Sequence, residues 1–192
     1  MTIISTLLRD SADRALPVLR AVRDDQLAGP TPCADYSVGD VVNHLFQVVV
    51  NFQALARREP ADFSSTPDVL GTDWRGRYVA ELDALVTAWT PDAALEGVSP
   101  GMGLPQTTVG GMVLLDLVIH PWDIATATGT PYAPDPAAVA RVHAVLDELG
   151  PMPRKMGVFG PEVPVPADAD EFTRLLGRGG RDPRWSPAAA VR

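Results

Sequence analysis

The 192-residue chain has a single cysteine and only three histidines. One cysteine excludes an internal disulfide. A domain of this length buries roughly 70% of its unfolded surface, so its core needs neither a covalent staple nor a structural metal, and a bound metal is expected to serve chemistry. Positive charge is also scarce, with 16 Lys and Arg against 24 Asp and Glu, a net charge of −8 and a pI near 4.7. Such a chain presents no broad basic field to phosphate backbones, which removes nucleic acid from the expected partners. Long apolar runs are missing too. Met112–Leu115 and Leu117–Ile119 are separated by Asp116 and fall short of the ~20 residues that span a bilayer. Near the N-terminus, Arg9, Asp10, Asp13 and Arg14 stand where a secretory signal needs an apolar stretch. No membrane association and a cytoplasmic location are therefore expected. The motifs GxGxxG, GxxxxGK[ST], GxSxG and CxxC do not occur, and Gly110-Gly111 follows no recognisable strand, so nothing points to a nucleotide fold.

No segment alternates apolar and polar residues over six or more positions, whereas several repeat apolar residues at three- and four-residue spacing, which predicts an all-α protein. The first helix is expected over 5–27, with Leu8, Ala12, Ala15, Leu19, Val22 and Leu27 near one face and a bend at Pro17. The loop GPTPCADYS (29–37) ends on Ser37, which with Asp40 forms a capping box carrying Asp in place of Glu. It opens the clearest helix, over 38–59, with one broad stripe of Val38, Val41, Val42, Leu45, Val48, Val49, Phe52, Leu55 and Ala56. A third helix is expected over 72–90, and a fourth over 109–128, apolar nearly all round and so buried among the others. A shorter helix follows over 135–149, stopped by Gly150 and Pro151. Residues 150–170 read as mostly extended, 170–177 as a short helical stretch, and the end from about 178 as an irregular, partly disordered tail of a single domain spanning 1–192. The long loops 59–71 and 91–108 are expected to shape a pocket.

Few polar residues occupy the apolar faces. On the fourth helix Asp116 and His120 stand at i and i+4, so both project from one face a turn apart. A carboxylate in an apolar segment must be paired, protonated or coordinated, because an isolated buried charge is costly. A satisfied Asp–His hydrogen bond and a shared metal ion both meet that need. His44, at the edge of the second helix's stripe, faces a seam between helices; alone it reads as structural. Two imidazoles and a carboxylate nonetheless make a common ligand set for catalytic zinc, leaving a position for water or substrate. Zinc is the first expectation for that N and O set, with nickel or iron as alternatives. His143, near the inward stripe of the fifth helix with Asp147 one turn on, and Cys33, in a Pro-flanked loop, are reserve ligands whose simpler reading is packing. Trp122 is expected to pack against the bundle, and Asp123 to hydrogen-bond a ligand imidazole or a backbone group.

Two stretches, TPCADYSVGDVVNHL (31–45) and DLVIHPWDIATATG (116–129), carry a Pro-Cys loop, a helix bearing Asn-His-Leu, and a helix with an acid, His, Trp-Asp and Ala-Thr-Gly. They resemble the signature regions of the DinB-like superfamily, in particular the actinobacterial branch related to the N-terminal domain of mycothiol-dependent maleylpyruvate isomerase. The C-terminal FGPEVPVPADAD and RLLGRGGRDPRW also look like the end of small stand-alone members, so the resemblance covers nearly the whole chain.

That resemblance implies a DinB-like four-helix bundle with an additional short helix, and a divalent metal held by His44, Asp116 and His120. The isomerase carries Glu where this chain has Asp116. Its metal binds the thiol cofactor mycothiol, whose thiolate adds to the substrate, and metal coordination deprotonates a thiol outright. The expected function is therefore transfer of mycothiol or a similar thiol to a small electrophile. Maleylpyruvate isomerisation itself is not expected, because the chain is read as lacking the isomerase's second domain. The other open reading is a non-enzymatic bundle with a structural or sensing metal, or with none. The partners implied are a small thiol and an electrophilic substrate, and a homodimer is an open oligomeric option.

Overall fold

The computed structural model describes residues 2–71 and 73–187. Among them, seven α-helices and no strands occur: α1 (Ile3–Ala21), α2 (Val38–Ala56), α3 (Trp74–Ala88), α4 (Gln106–Thr128), α5 (Pro136–Leu149), α6 (Met152–Lys155) and α7 (Glu171–Arg178). The fold is all-α, as the periodicity predicts. α4 packs against α1, α2 and α5, while α3 closes the ring against α1 and α2, and α7 lies on α5.

Local chemistry sets the ends that matter for the site. The Ser37 hydroxyl accepts from the Asp40 N–H at 3.2 Å, and the Asp40 carboxylate accepts from the Ser37 N–H at 2.9 Å, so the reciprocal cap starts α2 at Val38. His44 follows six residues in. Gly129, at φ 71, ends α4 in the left-handed conformation that glycine adopts without steric cost. Two α2 carbonyls accept from buried aromatics, Val42 from the Tyr78 hydroxyl and Phe52 from the Trp89 indole N–H. These bonds hold α2 against the hydrophobic layer while satisfying polar tips that would otherwise be costly to bury.

Gly110 and Gly111 belong to packing. A Cβ at Gly111 would lie 2.2 Å from Val145 Cγ2, and one at Gly110 3.0 Å from the Trp89 ring and 3.1 Å from Ile4 Cγ2, so α4 can approach α5, α1 and Trp89 only because both side chains are missing. The sequence stretches that count as apolar are short, but α4 has 23 residues and by length and composition alone could cross a membrane; 83% of its most apolar window is buried inside the bundle.

Several expectations need correction. α1 stops at Ala21 rather than residue 27, because Val22 turns extended and Asp24–Gln26 form a separate 3-10 turn held by the Gln26 side chain on the Arg23 N–H. Residues 152–155, read as extended, make the helical turn α6. The bend expected at Pro17 does not end α1, which runs on to Ala21, and α4 likewise includes Pro121. The end of the chain is not simply a tail: Arg181 is buried. Residues 188–192 of the tail expected from about 178 lie outside the described residues.

Candidate metal centre

α2 and α4 run antiparallel, so the first part of α2 meets the second half of α4. There the helical register places His44 opposite Asp116 and His120. Asp116 Oδ1 lies 3.7 Å from His44 Nε2 and 3.3 Å from His120 Nε2, and the three donor atoms lie within 4.8 Å of one another. The two imidazoles meet edge to face, with ring centroids 5.0 Å apart. Tetrahedral zinc with donors at ~2.0–2.1 Å separates them by roughly 3.3 Å, so the N, N and O set fits such an ion. His120 is buried, while the His44 and Asp116 side chains keep 26% and 18% exposure. The open side of the cluster thus faces outward past His44, beside the ring of Tyr36 at 5.8 Å.

On its inner side, His120 Nδ1 stands 3.0 Å from Asp123 Oδ2. Asp123 is 0% exposed and is also engaged by Arg181, whose Nη2 is 3.1 Å from Oδ2 and whose Nε is 3.4 Å from Oδ1. The same Nη2 reaches Cys33 Sγ at 3.1 Å. Cys33, His120 and Asp123 also offer donor atoms within 4.8 Å of one another, but the Arg181 guanidinium already supplies that group's positive charge. Cys33 is held in place by Thr31, whose hydroxyl donates to the Tyr36 carbonyl at 2.8 Å and accepts from the Cys33 N–H at 3.2 Å.

Electrostatics follows the contacts. Burial opposes the charge on Asp116, yet the imidazoles of His120 and His44 outweigh it and hold the carboxyl well below its ordinary range. Burial likewise disfavours a charged His120, but Asp116 and Asp123 outweigh it and raise its pKa. Burial pushes the Cys33 thiol up to about 11, with Arg181 pulling the other way.

The sequence singles out His44, Asp116, His120 and Asp123, and the fold brings all four together. Cys33 lies beside them on the inner side. Trp122 does not fill the bundle: it is half-buried and outside the packed core, because two residues turn a helix by about 200° and place it nearly opposite His120. His143 is elsewhere, between α5 and α7, with Nε2 3.0 Å from the Glu171 carbonyl and Nδ1 accepting from Arg178 at 2.9 Å. Loop 91–108 also misses the site. It is tied to the far end of α2, where Arg58 donates to the Ala93 and Glu96 carbonyls and Gln106 to that of Leu55. Leu55 is eleven residues from His44, or about 16 Å along the helix. Sequence reasoning missed Arg181, because an Arg- and Pro-rich end has no periodicity to mark an inward residue.

The all-helical bundle, with His44, Asp116 and His120 gathered between α2 and α4, has the DinB-like architecture. Residues 8–125 match the family model of the mycothiol maleylpyruvate isomerase N-terminal domain, and the chain belongs to that family. It is also 34% identical over 178 residues to an uncharacterized protein of Mycobacterium tuberculosis, recorded in strains CDC 1551 and H37Rv, with 86% of this chain and 92% of the relative covered. No solved structure matches it significantly.

Proposed function

We propose that the protein binds one divalent metal ion through His44, Asp116 and His120 and uses it to present mycothiol, or a similar low-molecular-weight thiol, to a small electrophile. The observation that carries this reading is that both ring nitrogens of His120 face carboxylates, Nδ1 toward Asp123 and Nε2 toward Asp116. A neutral imidazole has one N–H. Donating it to Asp123 turns the Nε2 lone pair on the Asp116 oxygen, an arrangement a cation between them relieves. Zinc is the first choice for such donors, with nickel or iron next.

When bound, the ion would supply a Lewis acid that deprotonates a thiol at neutral pH. The chain's own residues do the rest. Asp123 holds the His120 ring so that Nε2 faces the open cluster, and the buried helices exclude water behind it. The exposed edges of His44 and Asp116, next to Tyr36, leave the side by which a thiol and its acceptor approach. The thiol and the electrophile are the proposed partners, and the cytoplasm, where one unpaired cysteine persists, is the proposed location.

A second reading is favoured by the same contacts: a protonated His120 bridging Asp116 and Asp123 satisfies both carboxylates without metal, in a non-enzymatic bundle. Elemental analysis of protein purified without chelator separates the two. About one ion per chain, lost in His44→Ala and His120→Ala, supports the metal reading; no ion in wild type supports the second. Chelator-sensitive turnover of epoxides, quinones or unsaturated acids with mycothiol then tests the enzyme.

A further inference from the structure

We infer that Arg181 is a positioning residue of the metal centre, acting through Asp123 to fix the ring of His120; the inference rests on the metal-binding reading above. Arg181 comes from beyond α7 and is not itself a ligand. Its guanidinium nevertheless meets the carboxylate that touches His120 Nδ1, using Nη2 and Nε on the two oxygens of Asp123. A planar fork on a carboxylate fixes its orientation as well as its charge.

Arg181 is itself held by further bonds. Nη1 donates to the Gly179 carbonyl at 2.7 Å, Nη2 to Cys33 Sγ at 3.1 Å, and the Arg181 main-chain N–H to the Leu176 carbonyl at 2.9 Å. Gly180 makes the approach possible: its φ is +78, and a Cβ there would sit 3.2 Å from the Gly160 carbonyl oxygen. The end of α7 therefore sets the guanidinium, the guanidinium sets Asp123, and Asp123 sets the imidazole whose Nε2 faces Asp116. A buried carboxylate of this kind would otherwise need another partner, and Arg181, 7% exposed, has no solvent role to explain its placement.

The test measures zinc affinity by competition with a chromophoric chelator, and the visible spectrum of the cobalt-substituted protein, on the full chain. Carboxylates behind a ligating histidine typically change metal affinity 10–100 fold; one step further out, Arg181→Ala should weaken zinc by ~10-fold and alter the cobalt spectrum. Arg181→Lys, with charge but no fork, should recover less than half of that loss. In an Asp123→Asn background, Arg181→Ala should add nothing. Val86→Ala, in the core on α3, serves as the stability control and should lower the melting temperature while leaving affinity and spectrum unchanged. If Arg181→Ala does not fold, Arg181→Gln is compared with Arg181→Lys in its place. Wild-type affinity and spectrum in the Arg181 variants, a full additional loss in the Asp123→Asn background, or an equal loss in Val86→Ala would each overturn the inference. Absence of zinc and cobalt binding by wild type would instead overturn the metal reading on which it rests.

Discussion

The hydroxyl of Tyr132 donates to the carbonyl of Val118 at 3.1 Å, and lies 3.5 Å from that of Leu117. Leu117 is four residues before Pro121, so its carbonyl is the one that the missing proline N–H leaves without a helical partner. A side chain from outside α4 thus supplies a donor to the turn that precedes His120. Removing the hydroxyl leaves part-buried acceptors short of a donor, at a cost of about 1–3 kcal/mol. Tyr132→Phe should lower stability by that amount in urea unfolding. A change below 0.5 kcal/mol, roughly the level of a neutral surface substitution, would show that water does the same work.

Gly111→Ala places a methyl group 2.2 Å from Val145 Cγ2. Overpacking of this kind costs typically ~1–3 kcal/mol, and the α4–α5 contact should bear it. Val145→Ala in the same chain should return part of the loss by making room. Additive destabilisation in the double variant, followed by denaturant unfolding, would disprove the steric account.

With chelator present, Asp116 and His120 give stability opposite pH limits. Asp116 is held below its ordinary range, so the unfolded chain binds more protons in acid; its contribution stands above about pH 4 and is lost as pH falls. His120 is raised, so its contribution is full below about pH 6.5 and is lost as pH climbs through its folded value. Thermal unfolding of the metal-free protein should therefore peak between these limits. His120→Gln should abolish the decline on the alkaline side, and a decline of the same size in that variant would assign it to other groups.

Cys33 should be a sluggish thiol. With its pKa pushed up to about 11, about one molecule in a thousand carries the thiolate at pH 8. Alkylation by iodoacetamide should be slow and should quicken about tenfold per pH unit from 8 to 10. A rate independent of pH over that range would mean that exposure of the loop, not ionisation, limits the reaction.

The legible part of the molecule is the part written in periodic helices. The Ser37–Asp40 cap could be read because its chemistry is local, and Asp116 and His120 because polar groups stand out at helical spacing in an apolar segment. His44 needed one more step, that the apolar edge of one helix meets that of another. What could not be read depends on groups far apart in sequence. Tyr132 sits in a loop whose composition says only that it turns, and its purpose appears once the carbonyl before Pro121 is seen. Arg181 meets Asp123 from 58 residues away, across a glycine turn that carries no pattern. The length of loop 91–108 says nothing of where it lies, and the antiparallel course of α2 and α4 carries it to the end away from His44.

The bond between Arg181 and Cys33 closes a loop of 148 residues. Contacts of such separation are late events in folding, since the closure entropy must be met before the contact rewards it. The helices can collapse with the interior beneath Arg181 still open, and the thiol of Cys33 then lies uncovered. Its protection against a pulse of alkylating reagent during refolding therefore clocks the arrival of the last segment, separately from the helix formation that circular dichroism follows.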